Sequence, residues 1–438
     1  MPHLPQVIRI LSRKTFLDRF AQNEENILSP ASPSAGRKVE LPTAGNLGKE
    51  LPSAGANVQT CTRCCINSTV AGVKFDARGE CNFCTMHDEL ERAYPIDEPG
   101  TGAFGAAIEK IKADGRGKKY DCVLGVSGGR DSSYTLWLLK QQGLRPLAVH
   151  FNDGFGNPVA GKNMTRAAQA LKVDLRTITS DWRESKDLRI AFLRASTPDF
   201  GMPTDLGIAA ALYAVATKEN LHYVVIGQSF RTEGICPLEW LYFEGKYLKE
   251  VHRRFGKVPL RPWKPEDPGF NLGIPEFCYY AFIRRIKTFL PLYHLRYVRD
   301  EVDDLLIREL GWVYPGAHYY DDLYQSLMTY ILRVKFGIDR RIFNYAALVR
   351  SGQMNREEAI GRVREVYVIE DPKVIQLCIK RLGLTQEEFN EIIALPPKTF
   401  HDYPTNYAWL RRFKFVVRMM ANLQIVPKST YMKYFDFC

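Results

Sequence analysis

The chain has 438 residues, a net charge of +11 and an ordinary globular composition, 45% hydrophobic, 25% charged and 12% aromatic, enough for two or three domains with cores of their own. No stretch approaches the roughly 18–20 uninterrupted apolar residues of a membrane span, and no export-signal pattern is read at the start; a cytoplasmic location is the expectation. The positive charge suits an anionic partner, a phosphorylated small molecule or RNA, although dispersed doublets such as Arg253-Arg254, Arg340-Arg341 and Arg411-Arg412 also fit a merely solvated surface.

Residues 1–57 read as a disordered leader. A weakly amphipathic basic stretch over 7–20 gives way to Ser, Pro, Ala and Gly, with two near-copies, Leu41-Pro42-Thr43-Ala44-Gly45 and Leu51-Pro52-Ser53-Ala54-Gly55; such composition buries too little apolar surface to offset ordering. Residues 58–95 form a cysteine-rich module. Strand and helix then alternate. Strands are predicted over 121–126, 145–151, 174–178 and 222–226, and helices over 131–142, 159–171 and 205–219. Continuous apolar strands between helices imply a doubly wound parallel sheet, assigned to 115–235. Residues 236–438 read as a mainly helical region that completes the site or an interface. Two of its helix starts look like capping boxes, Asn355 with Glu358 and Thr385 with Glu388.

Five of the ten cysteines fall between Cys61 and Cys84. Cys61-x2-Cys64 and Cys81-x2-Cys84 place four thiolates on two tight turns, the arrangement of tetrahedral zinc; with every position filled by sulfur, the metal is expected to be structural. An iron–sulfur cluster is the competing use. Cys65 reads as a bystander, and His87 as a solvated helix residue.

Ser127-Gly128-Gly129-Arg130-Asp131-Ser132-Ser133 follows a strand and opens a helix. Two glycines let the backbone turn sharply against an oxygen ligand, and the free amides of a helix start cradle anions. Ser127, Ser132 and Ser133 add hydroxyls. Asp131 beside phosphate calls for an intervening cation, hence Mg²⁺. The string lacks the Gly-x4-Gly-Lys-Ser/Thr spacing of the Walker loop. It resembles the Ser-Gly-Gly-x-Asp-Ser loop of the N-type ATP pyrophosphatases, the PP-loop group with the adenine nucleotide alpha hydrolase-like fold. That resemblance implies cleavage of ATP between the α and β phosphates, with Asp131 and Ser133 as catalytic residues.

Further segments narrow the resemblance: Cys61-Thr62-Arg63-Cys64, Phe75-Asp76-Ala77-Arg78-Gly79-Glu80-Cys81-Asn82-Phe83-Cys84, His150-Phe151-Asn152-Asp153-Gly154-Phe155, Pro203-Thr204-Asp205, Gly227-Gln228-Ser229-Phe230-Arg231-Thr232-Glu233-Gly234, Glu309-Leu310-Gly311-Trp312, Lys335-Phe336-Gly337-Ile338-Asp339 and Ser351-Gly352-Gln353-Met354-Asn355. Their order from about Cys61 to Arg364 resembles the N-acetyl sugar amidotransferase family. The resemblance implies an ATP-dependent ligase that turns an acetamido sugar, nucleotide-linked or otherwise activated, into an acetamidino sugar for surface polysaccharide or flagellin. Ammonia would come from a glutaminase subunit. The nucleotide site is expected to use Ser127, Gly128, Gly129, Asp131, Ser132 and Ser133, with Asn152 and Asp153 on ribose or metal and Gly227 and Gln228 beside the adenylate. Asp205 reads as a helix N-cap, Arg231 and Glu233 as substrate contacts or a surface pair, and His318 as structural. A tRNA-modifying PP-loop enzyme and a non-catalytic nucleotide-binding scaffold are the alternatives.

Overall fold

The computed structural model describes residues 58–314, 322–365, 372–423 and 425–436; the leader expected over 1–57 and His318 lie outside them. Four apolar strands form where the sequence predicts them, β1 (Cys122–Gly125), β2 (Pro146–Asn152), β3 (Leu175–Thr179) and β4 (Tyr223–Ile226), and a fifth, β5 (Lys287–Phe289), comes from the stretch expected to be helical. All pair in parallel in the order β3-β2-β1-β4-β5, with Leu124 of β1 in register with Ala148 on one side and Val225 on the other.

In chain order the longer helices are α1 (Asn82–Ala93), α2 (Glu98–Asp114), α3 (Arg130–Gln141), α4 (Pro158–Ala170), α5 (Trp182–Ala195), α6 (Met202–Lys218), α7 (Gly245–Phe255) and α8 (Arg299–Leu310). They continue as α9 (Leu323–Phe336), α10 (Arg341–Arg350), α11 (Arg356–Arg364), α12 (Pro372–Leu382), α13 (Gln386–Ala394), α14 (Tyr407–Arg412), α15 (Lys414–Asn422) and α16 (Lys428–Phe435).

Alternation along the strands builds two apolar layers. Cys122, Leu124, Ala148, Tyr223 and Val225 face α2, α3, α4 and α8. Val123, Leu147, Val149 and Val224 face α5, α6 and α7. β1 and β4, covered on both sides, are apolar and show no polar face, whereas the edge strand β3 exposes Thr177 and Thr179. Gly125 keeps β1 close to α6, since a Cβ there would lie 3.1 Å from Leu212 Cδ1.

Side chains fix several helix starts. Asn157 accepts from Val159 N at 2.8 Å, and Asp181 from Arg183 N at 2.9 Å. Thr385 and Glu388 form the reciprocal box that was expected, at 3.2 and 2.9 Å. Asn355 caps differently, accepting from Glu357 N at 2.8 Å. Asp205 is not the N-cap of α6: Gly201 holds that position and Asp205 lies in the first turn.

The ends of β2, α5 and α6 meet on a buried charge. Arg189 is wholly buried between the rings of Phe155 and Tyr324, at 5.0 and 4.9 Å. Its guanidinium pairs with the Asp153 carboxylate and donates to Thr204 Oγ1 at 2.7 Å. Removing one member of such a pair strands the other charge in the core. Asp153→Ala is therefore expected to lower stability by about 3–5 kcal/mol, read from the urea midpoint. Asp153→Ala/Arg189→Met is expected to recover most of that loss, because no buried charge remains.

Candidate functional site

In the order 3-2-1-4-5 the chain leaves β1 toward one side of the sheet while β4 lies on the other. The loops after β1 and β4 therefore flank a crevice at the carboxyl ends of the strands. The loop after β1 is the Ser127–Ser133 string. Gly128 has φ +83°, and a Cβ on it would lie 2.1 Å from the Ala160 carbonyl oxygen, so no other residue fits there. Its own carbonyl is turned to accept from Trp312 Nε1 at 3.0 Å and Asn163 Nδ2 at 3.2 Å. Asn163 in turn bonds Val313 through both backbone groups, at 2.8 and 3.0 Å.

The amides of Gly128, Arg130, Asp131 and Ser132 precede the first helical bond, meet no side-chain cap and have no hydrogen-bond partner among the described residues. Such a run of N–H groups at the positive end of a helix is an anion cradle. Ser127 and Ser132 shape its rim: Gly129 N donates to Ser127 Oγ at 3.3 Å, and Ser127 N to Ser132 Oγ at 3.2 Å. Ser133 is buried, and its amide makes the first helical bond, to Gly129 O at 3.1 Å.

The flanking charges are held from afar. Arg130 is clamped by Asp303 (Nη2–Oδ2 2.7 Å), which turns it away from the cradle's amides. One oxygen of Asp131 accepts from the phenol of Tyr297; burial, with Asp131 beside it, pushes that phenol well above its usual range, so it stays a donor. Across the crevice Gly227 touches α3 closely, where a Cβ would lie 2.7 Å from both Asp131 O and Thr135 Oγ1. Gln228 is exposed beside it. Asn152 ends β2, three residues past the Gly125–Val149 register pair, and its Oδ1 accepts from Gly154 N at 3.0 Å. Asp153 is different, its carboxylate committed to Arg189, Thr204 and the amide of Phe155. A cavity of about 160 Å³ between β3, α6 and residues 261–270 shares no lining residue with the loop.

Asp205, in the first turn of α6, lies at the same edge, because α6 runs antiparallel to the strand that follows it. Solvent reaches the carboxylate, and it makes no hydrogen bond among the described residues. Crowding by surrounding protein nevertheless raises its pKa to about 6, with Arg340 and Lys433 pulling the other way. Arg231, expected on substrate or at the surface, is buried instead: it binds both oxygens of Glu91, at 2.8 and 2.6 Å, and the carbonyls of Tyr293 and Tyr94.

Cys61, Cys64, Cys81 and Cys84 are all buried, and their sulfurs lie within 4.8 Å of one another. The closest pairs are 3.8, 3.7 and 3.6 Å apart. A tetrahedral ion with metal–sulfur distances of about 2.3 Å sets its sulfurs about 3.8 Å apart, so the four thiols fit one zinc; several irons need wider spacing. Cys65 points elsewhere, its Sγ 3.5 Å from Ile342 O, and burial pushes its thiol up to about 12. The position of His87 corrects the sequence reading: it is buried, edge-on to Phe230, with Nε2 3.4 Å from Glu91, and burial holds it neutral by lowering its pKa. Arg350, at the end of α10, lays its guanidinium against the cluster, with Nη2 3.8 Å from Cys64 Sγ. It would offset the charge that four thiolates around one zinc leave behind.

Neither Arg350 nor the Trp312, Asn163 and Tyr297 contacts are evident from the sequence. An arginine in the apolar helix Arg341–Arg350, and a Trp directly after the helix-ending Gly311, are the only signals.

Residues 316–418 match the family model of the LPS biosynthesis protein WbpG-like C-terminal domain. An uncharacterized protein of Methanocaldococcus jannaschii is 24% identical over 272 residues, 61% of this chain and 80% of that one. Two solved structures are also similar. NH3-dependent NAD synthetase from Campylobacter jejuni shares 15% identity over 69% of this chain and 97% of its own, with a TM-score of 0.29. NMN synthetase from Francisella tularensis shares 14% over 65% and 96%, with a TM-score of 0.31.

Second-sphere partners typically change metal affinity by roughly 10–100-fold. Arg350→Met is expected to weaken zinc retention by about that factor in chelator competition, whereas Cys65→Ala leaves it unchanged.

Proposed function

We propose that the chain uses ATP to adenylate the acetamido oxygen of an N-acetyl sugar and replaces that oxygen with ammonia-derived nitrogen. The product is an acetamidino sugar for bacterial surface polysaccharide or flagellin. The observation that carries ATP use is the run of unpartnered amides at Gly128, Arg130, Asp131 and Ser132; an oligophosphate supplies the acceptors these groups lack. The match of residues 316–418 to an LPS-biosynthesis domain supports a sugar as the group acted on.

In this reading Ser127, Gly128, Gly129, Ser132 and Ser133 hold the phosphates, and Gly227, Gln228 and Asn152 border the nucleoside. Asp131 is the residue that would hold Mg²⁺, which supplies charge neutralisation between carboxylate and phosphate. Asp153 drops out of the ligand set because Arg189 occupies it. The zinc module of 58–95 and the region 236–438 wall the nucleotide domain of 115–235, which borrows β5 from 287–289.

An amide carbon resists attack because its nitrogen donates into it. Placing AMP on the oxygen creates a leaving group, so that C–N bond formation by ammonia and C–O bond cleavage exchange the atoms. Holding the reactants in place supplies much of the rate, and excluding water protects the activated sugar. Ammonia must arrive unprotonated, and a glutaminase subunit is the proposed source. Asp205, an accessible carboxylate at this edge, is suited to take the proton that the attacking nitrogen sheds.

ATP, Mg²⁺ and an ammonium salt incubated with nucleotide-linked N-acetyl sugars are expected to yield AMP, pyrophosphate and a sugar with oxygen exchanged for NH, read by mass spectrometry. Salt-dependent binding and modification of tRNA with no change in any sugar would refute the reading. Gly128→Ala is expected to abolish pyrophosphate release while zinc content stays normal, since its Cβ collides with the Ala160 carbonyl. With rates normalised to free ammonia, turnover is expected to rise with pH through about 6 as Asp205 loses its proton. Asp205→Asn is expected to remove that inflection and cost about a hundredfold or more in turnover, with ATP affinity retained.

A further inference from the structure

Residues 403–435 contain six Lys and Arg and no Asp or Glu. Their middle forms α14 and α15, neither of which has a fully buried side chain. The inner side of α15, Val417 and Ala421, packs toward Tyr431 and Met432 of α16. The outer side carries Phe415 and Met419 at helical spacing, continued by Leu423 just past the helix end. These three are 69%, 55% and 56% exposed, and Trp409 of α14 is 53% exposed. Phe413 links the aromatic members, its ring 4.8 Å from Trp409 and 6.5 Å from Phe415. Four of the thirteen exposed large apolar side chains among the described residues thus fall within fifteen positions. Arg411, Arg412, Lys414 and Arg418 are exposed in the same stretch.

An apolar stripe bordered by the cations Arg411, Arg412 and Arg418, with Lys414 paired to Asp436 at 2.8 Å, matches one kind of surface: an acidic lipid layer that accepts apolar side chains below its headgroups. We infer that α14 and α15 dock the protein on an anionic membrane surface, with Trp409, Phe415, Met419 and Leu423 set into the headgroup boundary and Arg411, Arg412 and Arg418 on the lipid phosphates. Attachment is interfacial, since no helix among the described residues is long and apolar enough to cross a membrane.

Two other occupants fit less well. A second copy of the same face would bring like charges together. Single-stranded nucleic acid stacks on aromatic rings, which leaves Met419 and Leu423 without a role. The inference does not depend on the reaction proposed above.

Flotation of the full chain with vesicles of phosphatidylglycerol and phosphatidylcholine, or of phosphatidylcholine alone, tests it. The protein is expected to float with the anionic vesicles only, and added salt is expected to reduce the bound fraction. Phe415→Ser/Met419→Ser is expected to weaken anionic-vesicle binding by about tenfold or more, with zinc content and helical circular dichroism unchanged. Arg411→Glu/Arg412→Glu/Arg418→Glu is expected to abolish the preference for phosphatidylglycerol. Absence of flotation with anionic vesicles, or equal flotation of the Phe415/Met419 variant, overturns the inference. So does a wild-type dimer in sedimentation velocity that this variant converts to monomer, or bulk tRNA that displaces the protein from vesicles and binds the variant undiminished.

Discussion

The geometry of the candidate site depends on one carbonyl group. Gly128 lies one residue ahead of the N-cap Gly129, so its oxygen has no place in the helical hydrogen-bond ladder of α3. Here a positive φ turns it outward, to the indole of Trp312 and the amide of Asn163. Those two donors satisfy it away from the crevice, so this oxygen does not oppose an anion at the first amides of α3, which any helix start leaves unpaired. The turn needs glycine twice over, for its backbone angle and for the Ala160 carbonyl packed against it. Without the two donors the outward carbonyl would be a buried acceptor with no partner, at a cost of about 1–3 kcal/mol.

The segment from Tyr297 to Val313 thereby governs a loop some 170 residues before it in the chain. Tyr297 holds Asp131, Asp303 holds Arg130, Trp312 holds Gly128, and Val313 orients Asn163. Its helix, α8, is fastened by Val302, Leu306 and Leu310 in the same apolar layer as α3 and β1. Packing therefore sets the position of α8, and α8 sets the electrostatics of the loop. The C-terminal half is consequently part of the architecture of the Ser127–Ser133 loop rather than an appendage to it.

Buried arginines mark the other seams. Arg189 joins the end of β2 to α5, α6 and α9; Arg231 joins the loop after β4 to Glu91 of α1; Arg350 joins α10 to the four thiols. Glu91 resists burial because His87 and Arg231 hold its carboxyl down at about 2. Such pairs add little net stability over well-packed apolar residues, but removing one partner is strongly destabilising. They specify which surfaces meet. The four-cysteine module is seated this way, with Phe343 placed edge-on to both Phe83 and Trp240, at 5.2 Å each.

Local signals were sufficient for the parts of this protein whose chemistry lies in neighbouring residues. The cysteine pairs at x2 spacing, the Ser127–Ser133 string between strand and helix, and four of the five strands are legible because ligand geometry, glycine freedom and apolar runs act over a few residues. The tertiary structure decided what depends on contacts between distant segments. It recruited β5 from a stretch that reads as helix, since three residues are too few for a periodicity to show. It buried His87 and Arg231, which look solvent-facing until Phe230 and Glu91 are brought beside them. It turned Asp153 to Arg189 while leaving its neighbour Asn152 at the strand end, and it placed Asp205 in the first turn of α6 rather than at its cap. A sequence shows which side chains can ionise or ligate; whether each one does is set by the groups that folding places within a few ångströms of it.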